Sequence, residues 1–149
     1  MARSGLDGDH KAAGKFVCHE AQASVPKRSR AKFRMTEPRP LVEFSDFQKI
    51  DVRVGTIVKS EAFPEARRPA IKIWVDFGDL GIKKSSAQIT KHYAVEDLVG
   101  RQVIAVVNFP PRQIGPFMSE ILCLGVPDAD GEVVLLAPDI NVPNGGQLF

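Results

Sequence analysis

Lysine and arginine side chains are the main candidates for a functional site in this sequence. Strand alternation and loop placement put eight of them on the outside of the fold, and an outward Trp74 follows Lys72 by two residues. Such a surface suits polyanions, because neutralised phosphates release counterions and an exposed indole can stack on an unpaired base. The alternative is that these residues are ordinary solvated side chains. The eight cations are Arg53, Arg67, Arg68, Lys72, Lys83, Lys84, Lys91 and Arg112.

Patterns typical of catalysis are missing from the sequence. It contains no Gly-rich phosphate loop, no paired histidines at helical spacing and no nucleophile elbow. His10, His19 and His92 are dispersed along the chain. Glu96 and Asp97 are adjacent on a short predicted helix, so their carboxylates point in different directions. We therefore expect a protein that is not an enzyme.

Cysteines and apolar runs limit the remaining classes of protein. Cys18 and Cys123 have neither the spacing of metal ligands nor the number needed for a disulfide framework, which predicts no metal site and a reducing compartment. The longest apolar runs, "VIAVV" and "VVLLA", are far shorter than the roughly 18 residues of a membrane span. We expect a cytoplasmic protein without membrane insertion.

Charge divides the chain of 149 residues into two parts. The first 34 residues carry eight lysines and arginines against three acidic residues, whereas the rest carries twelve against fifteen, a net charge of −3. Residues 1–40 lack a sustained apolar period and are predicted to be a disordered basic extension, whose run "PKRSRAKFR" either contacts nucleic acid or is a solvated tail. Residues 41–149 are predicted to form one globular domain.

Alternation of apolar and polar residues predicts the strands that position the cations. In "DVRVGTIVKSEAF", Val52 and Val54 alternate with Arg53, and Gly55 allows a bulge that turns Ile57 inward. The next strand, "AIKIWVDFG", has one apolar face, so its tryptophan looks outward. Both strands are therefore expected to present cations on their outer face.

The other predicted elements complete a small barrel. "SDFQ" predicts a capping box, with Ser45 as N-cap and Gln48 at the third helical position of a short helix ending before Asp51. Further strands are predicted in "KKSSAQIT", "QVIAVVNF", "SEILCLGV" and "EVVLLAP", and a short helix in "AVEDLVG" is closed by Gly100. Several short strands with one helix between the third and fourth suggest an all-β, small closed barrel of the OB type, whereas periodicity alone indicates only a small all-β barrel or sandwich.

The outer faces of "VIAVV" and "EILCL" are apolar as well as the inner ones. A barrel needs only its inner face to be apolar, so a terminal segment or a second subunit must cover the outside. We favour a homodimer.

Several segments resemble the CsaA family of secretion-related chaperones, which are built on the tRNA-binding OB domain. The similarity runs in order from Phe44 to Phe149 through "DVRVGTIVKSEAFPEARRPAIKIWVDFG", "SSAQIT", "EDLVGRQVIAVVNFPPRQIGPFMSEILCLG" and "VVLLAPDINVPNGGQLF". "SSAQIT" and "FPEARRPA" resemble the CsaA branch rather than the general tRNA-binding branch.

The resemblance carries over to particular residues only in part. The shared start Asp-hydrophobic-Arg-Val-Gly stands at residues 51–55, but the Pro-Asn-Ala-Asp loop of the wider relatives is Pro-Glu-Ala-Arg at 64–67. Of the fifth-strand motif Ser-Glu/Gln-Gly-Met only the polar half survives. Ser119 and Glu120 are therefore carried over as tRNA-binding candidates, whereas Ile121 and Leu122 are not.

The resemblance implies a homodimeric protein without a cofactor that binds tRNA, unfolded export preproteins and the Sec export machinery. A peptide site would use apolar pockets rimmed by cations, since export sequences are basic and then apolar. The candidate peptide-binding residues, for which core or dimer packing is the alternative, are Trp74, Phe109, Phe117 and Met118. The alternative function is an accessory tRNA-binding module without a chaperone role.

Overall fold

The computed structural model describes residues 38–149. The predicted basic extension, with His10, His19 and Cys18, lies almost entirely outside the described residues. Within them, nine strands form, and each pairs with its neighbours in antiparallel fashion. The strands are β1 (Val52–Ala62), β2 (Ile71–Asp76), β3 (Ile82–Ala87), β4 (Gln102–Val106), β5 (Arg112–Ile114), β6 (Phe117–Ser119), β7 (Leu122–Cys123), β8 (Gly125–Pro127) and β9 (Val133–Leu135).

Five of these strands form the barrel, in the order β3-β2-β1-β4-β7. The edge strands β3 and β7 approach each other near Glu120, which precedes β7. The Glu120 backbone N–H donates to the Lys84 carbonyl oxygen of β3 at 2.8 Å. The Lys84 N–H in turn donates to the Glu120 carboxylate at 3.1 Å. The predicted small all-β barrel of OB type is therefore confirmed, and Glu120 helps to close it.

Helices are few and short. α1 spans Phe44–Gln48, α2 spans Val95–Leu98, and a single 3₁₀ turn spans Gly78–Leu80. The predicted capping box is wrong, because α1 begins two residues earlier than expected, with Glu43 as its N-cap, which places Ser45 inside the helix. Gly100, at a φ of 89°, follows α2 as expected. Among residues 38–149, no helix is long and apolar enough to cross a membrane.

The barrel core is formed by the inner faces of β2, β1 and β4. The alternation predicted for β2 is confirmed, since Ile71, Ile73 and Val75 are almost completely buried. They pack with the equally buried Ile57 of β1 and Val103 of β4. Burying one such side chain contributes about 1.5–3 kcal/mol, so this cluster fixes how the strands face.

The inner face of β1 differs from its prediction. The register shift lies between Ile57 and Lys59 rather than at Gly55. Gly55 has another role, because a Cβ there would lie 2.6 Å from Val75 Cγ1. Only glycine lets β1 pass this close to β2. Ile57 faces the core as predicted, whereas Val52 and Val54 lie outside the core cluster.

The C-terminal segment, residues 142–148, completes the first half of β1. Gly145 N–H donates to the Val54 carbonyl oxygen at 2.8 Å, and Leu148 N–H donates to the Val52 carbonyl oxygen at 2.9 Å. Beside it, Val52 and the facing Val106 are buried within the chain. A terminal segment thus covers part of the apolar outer face, which was one of the two expected solutions.

One strand pair was missed by the sequence interpretation. β5 and β6 form a hairpin that turns at Gly115, which has a φ of 56°. The predicted fifth strand is also split, because β7 pairs with β4 while β8 pairs with β9. The hairpin forms one wall of a cleft, and the loop between β1 and β2 forms the other.

Candidate nucleic-acid interface

A second apolar cluster joins the β1–β2 loop, residues 63–70, to the β5–β6 hairpin. Phe63, Ala70 and Phe117 are buried in it, with Trp74 packed against them. The ring centres of Phe63 and Phe117 are 5.6 Å apart, and Trp74 meets Phe117 edge-on at 5.9 Å. Aromatic pairs in such tilted or edge-on arrangements are favourable beyond their buried area. The loop and the hairpin are therefore held in fixed positions.

Between the loop and the hairpin lies a cavity of about 680 Å³, which we call the arginine cleft. Its walls approach each other at the hairpin turn, since a Cβ built on Gly115 would lie 3.8 Å from the Glu65 carbonyl oxygen. Three arginines and one carboxylate line it. The complete lining is Glu65, Ala66, Arg67, Arg68, Ala70, Ser86, Gln88, Arg112, Gln113, Ile114 and Gly115.

A smaller hollow of about 320 Å³ adjoins the arginine cleft and shares Ser86, Arg112 and Ile114 with it. Its other side is mainly apolar, with Phe109 and Leu122 exposed at its edge. The surface therefore changes from cationic to apolar across a single arginine. Such a surface can contact a phosphate and an apolar group at the same time.

Lys72 and Lys84 lie beneath this surface. Lys72 Nζ is 4.6 Å from the centre of the Phe63 ring and 3.7 Å from the Glu65 carboxylate. Lys84 Nζ is 5.4 Å from the centre of the Phe117 ring. Cations over aromatic faces are stabilised by the ring quadrupole. Both lysines thus help to hold the second cluster together and add positive charge below the cleft.

Trp74 lies on the outer side of β2, as the sequence predicted, but it is not an open stacking platform. Its edge packs against Phe117, and Lys59 Nζ lies 4.6 Å from the ring centre. Phe117 itself is only 8% exposed. The structure therefore supports the packing alternative for Phe117 and, in part, for Trp74. Phe109 and Met118 are 45% and 40% exposed, and Phe109 lines the hollow.

Arg53 is the predicted tRNA-binding cation with the clearest structural role. Its Nε donates to Asp51 at 2.7 Å and its guanidinium donates to the Gly145 carbonyl oxygen at 3.0 Å. These bonds fasten the C-terminal segment and use three of the five N–H groups of the side chain within the protein. Lys83 and Lys91 do not line the arginine cleft.

Ser119 and Glu120 border the hollow, but their polar atoms are used within the protein. The buried Ser119 hydroxyl donates to the Ile121 carbonyl oxygen at 3.1 Å. The Glu120 carboxylate accepts the Lys84 N–H described above. Of the ten predicted tRNA-binding residues, the structure brings Arg67, Arg68 and Arg112 together in the cleft.

Three uncharged polar residues of the cleft were missed: Ser86, Gln88 and Gln113. Gln113 lies on the overlooked hairpin, where its amide donates to the Gly115 carbonyl oxygen at 3.2 Å. The dipeptide Gly115-Pro116 is a turn signal that could have revealed the hairpin. Ser86 and Gln88 belong to the segment "SSAQIT", whose resemblance to the CsaA branch marks a subfamily but assigns neither residue to a binding site.

Metal ligation and thiol chemistry are the two further possibilities that residues 38–149 allow to be checked. No three His, Cys, Asp or Glu side chains of that range lie close enough to hold a metal ion. Cys123 packs against the barrel core, and burial raises the pKa of its thiol to about 12. The thiol stays protonated at neutral pH, so it is a poor nucleophile.

His92 and Asp128 link the loop after β3 to the β8–β9 turn. His92 Nε2 lies 2.6 Å from Asp128 Oδ2, and Asp128 Oδ1 accepts the backbone N–H groups of Asp130 and Glu132, each at 2.9 Å. The Glu132 N–H is the main cause that lowers the pKa of Asp128, and His92 adds to it. The ionised carboxylate therefore stabilises the turn.

Asp128→Asn is expected to destabilise the protein at neutral pH but not in acid. A lowered carboxyl pKa contributes stability above the unfolded-state pKa, about 3.9, and that contribution is lost as pH falls through the folded-state value. Urea unfolding at several pH values should show the wild type and the variant converging below about pH 4. Asp130→Asn in the same turn is the control. A difference that persisted unchanged in acid would contradict the electrostatic explanation.

Comparison with known proteins provides independent information. A family model described as "Putative tRNA binding domain" matches residues 52–147. Chaperone CsaA from Bacillus anthracis is 53% identical and superposes with a TM-score of 0.70, covering 74% of this chain and 100% of that one. The CsaA chaperone protein from Picrophilus torridus is 48% identical with a TM-score of 0.68, covering 73% and 100%.

The curated relatives are much longer proteins. Methionine–tRNA ligase of Porphyromonas gingivalis is 39% identical over 107 residues, which are 72% of this chain but only 15% of the ligase. The shared part is therefore one module of that enzyme.

Proposed function

Because the chain belongs to the tRNA-binding domain family and resembles CsaA-type members over their whole length, we propose that it binds tRNA through the arginine cleft without catalysing a reaction. The observation that carries the proposal is the convergence of Arg67, Arg68 and Arg112 between the β1–β2 loop and the hairpin after β4. OB folds bind oligonucleotides with these same parts of the barrel.

Arginine suits this role for a physical reason. Its planar guanidinium donates two parallel hydrogen bonds to a phosphate and stays charged at any physiological pH. Pro64 and Pro69 flank the loop arginines and restrict the backbone that carries them. The cleft therefore offers phosphates a positive site whose geometry is largely formed before binding.

The apolar hollow supports a second activity, the holding of unfolded export preproteins. Phe109 and Leu122 are exposed at its edge and offer contact area for an apolar segment. The CsaA structures are named as chaperones. A role in protein export, with the Sec machinery as a partner, follows from this proposal, and an accessory tRNA-binding module is the alternative.

A second copy of the chain is the proposed partner for the face around α1. This helix buries none of its residues, its first residue Phe44 is largely exposed, and so are Leu41 and Val42 just before it. Asn108 donates to the Lys49 carbonyl oxygen at 2.7 Å, which keeps the helix end on the barrel. We therefore propose a cytoplasmic homodimer of the 41–149 domain, with residues 1–40 as an extension.

Salt dependence separates the two activities. Three phosphate contacts predict a slope of about −2.1 to −2.7 for log affinity against log salt, so tRNA affinity should fall roughly 20- to 40-fold between about 50 and 200 mM salt. Capture of an uncharged apolar peptide should be little affected, because apolar burial does not depend on counterions. Titrations of a labelled tRNA and a labelled peptide measure both. Absence of tRNA binding at low salt would overturn the main proposal.

A further inference from the structure

We propose that the arginine cleft takes up a single unpaired nucleotide, so that the protein recognises tRNA where a nucleotide is free of base pairing. This inference rests on the proposed function and specifies its ligand. Its basis is that arginines able to bind phosphate line the same cleft as the uncharged amides of Gln88 and Gln113.

The shape of the cleft favours one nucleotide over a duplex. Its volume of about 680 Å³ lies within the range of about 300–1,000 Å³ that is typical of pockets for small ligands. The loop and the hairpin wall it on two sides, with Gly115 facing the Glu65 carbonyl oxygen. A duplex turns its bases inward and presents only its backbone and shallow groove edges. It would lie across the mouth and leave the cavity unfilled.

The three arginines of the cleft would bind the phosphate of the nucleotide. Within residues 38–149, none of the three cleft arginines takes part in an ion pair, in contrast to Arg53. The single carboxylate of the lining, Glu65, lies 3.7 Å from Lys72 Nζ, which offsets its charge. All three guanidinium groups are therefore available to phosphate oxygens.

The uncharged polar residues of the cleft would hydrogen-bond to the base of the nucleotide. Gln88 lies exposed just after β3, and Gln113 is oriented by its bond to the Gly115 carbonyl oxygen. Amides and the Ser86 hydroxyl can both donate and accept, which matches the edge of an unpaired base. The aromatic rings of the second cluster lie underneath, so the base would stack on a guanidinium plane rather than on a ring.

The test compares three RNA probes: a whole tRNA, an unstructured tetranucleotide and a short blunt-ended duplex. The tetranucleotide should compete with labelled tRNA, and the duplex, at equal phosphate concentration, should compete at least about tenfold less well. Ser86→Phe fills the cleft without changing its charge and should weaken tetranucleotide binding about tenfold or more. Thr90→Phe, which puts the same ring on the exposed loop after β3, should leave it unchanged.

Gln88→Ala is a second cleft variant, needed because Ser86→Phe could weaken binding simply by misfolding. It removes only an exposed amide. It should weaken tetranucleotide binding several-fold. If tRNA binds but the duplex competes as well as the tetranucleotide and neither cleft variant matters, the single-nucleotide inference fails while the proposed function stands. If the tetranucleotide binds and tRNA does not, the proposed tRNA function fails and the cleft assignment survives.

Discussion

Replacing Arg67 and Arg68 together by glutamate is expected to weaken tRNA binding by about 100-fold. Each charged hydrogen bond to a phosphate contributes about 1.5 kcal/mol or more, and about 1.4 kcal/mol corresponds to a factor of ten in affinity. Both side chains are exposed on the β1–β2 loop, so the change leaves the barrel core intact. Titration of tRNA at fixed salt measures the loss, and it should be similar for every tRNA, because phosphates carry no sequence information.

The salt dependence of the same variant identifies the lost contacts. The slope of log affinity against log salt should become shallower by about 0.7–0.9 for each contact. Lys49→Glu combined with Arg101→Glu is the matched control, because it changes the net charge equally at two residues that do not line the cleft. Equal losses in both variants would show that total charge, rather than the cleft, attracts tRNA. The lysines at 83, 84 and 91 would then be the next candidates.

Phe117→Ala is expected to destabilise the protein by about 3–5 kcal/mol. The ring is 8% exposed and contacts Phe63 and Trp74, so its removal leaves a cavity in the cluster that holds the loop to the hairpin. Two lysines also lose an aromatic face. Denaturant unfolding gives the change in the free energy of unfolding.

Met118→Ala on the same strand is the control for this effect. Met118 is 40% exposed, and its truncation should cost less than about 1 kcal/mol. At a temperature where Phe117→Ala is still folded, tRNA affinity should also fall, because the cleft walls are no longer held together. A stability close to that of the wild type would mean that the second cluster does not position the site.

The parts of the fold that depend on local pattern could be predicted from the sequence. The alternation of β2 determined which of its residues are buried, and the helix between β3 and β4 indicated an OB barrel. The loop arginines were placed outside because two prolines and the flanking strands leave them no other position. In each case neighbouring residues along the chain decide the outcome.

The parts that depend on contacts between distant residues could not be predicted. Arg112 joins Arg67 in one cleft only because Phe117 packs against Phe63, and nothing in either segment specifies that contact. Ser119 was a candidate for ligand binding, yet its hydroxyl donates a hydrogen bond to the carbonyl oxygen of Ile121. Val52 is buried outside the core cluster, opposite Val106 of the neighbouring strand β4, and alternation alone cannot reveal that position.

The pairing of residues 142–148 with β1 also affects the order in which the protein folds. Val52 and Val54 lie at the start of β1. Along one edge of this strand, their backbone hydrogen-bond partners are residues about ninety positions later in the chain. Such distant partners make folding slow, because a long loop must close before the bonds can form. During synthesis the early strand keeps an open edge, which invites pairing with other chains. A protein proposed to protect unfolded chains would thus pass through a stage in which it needs similar protection itself.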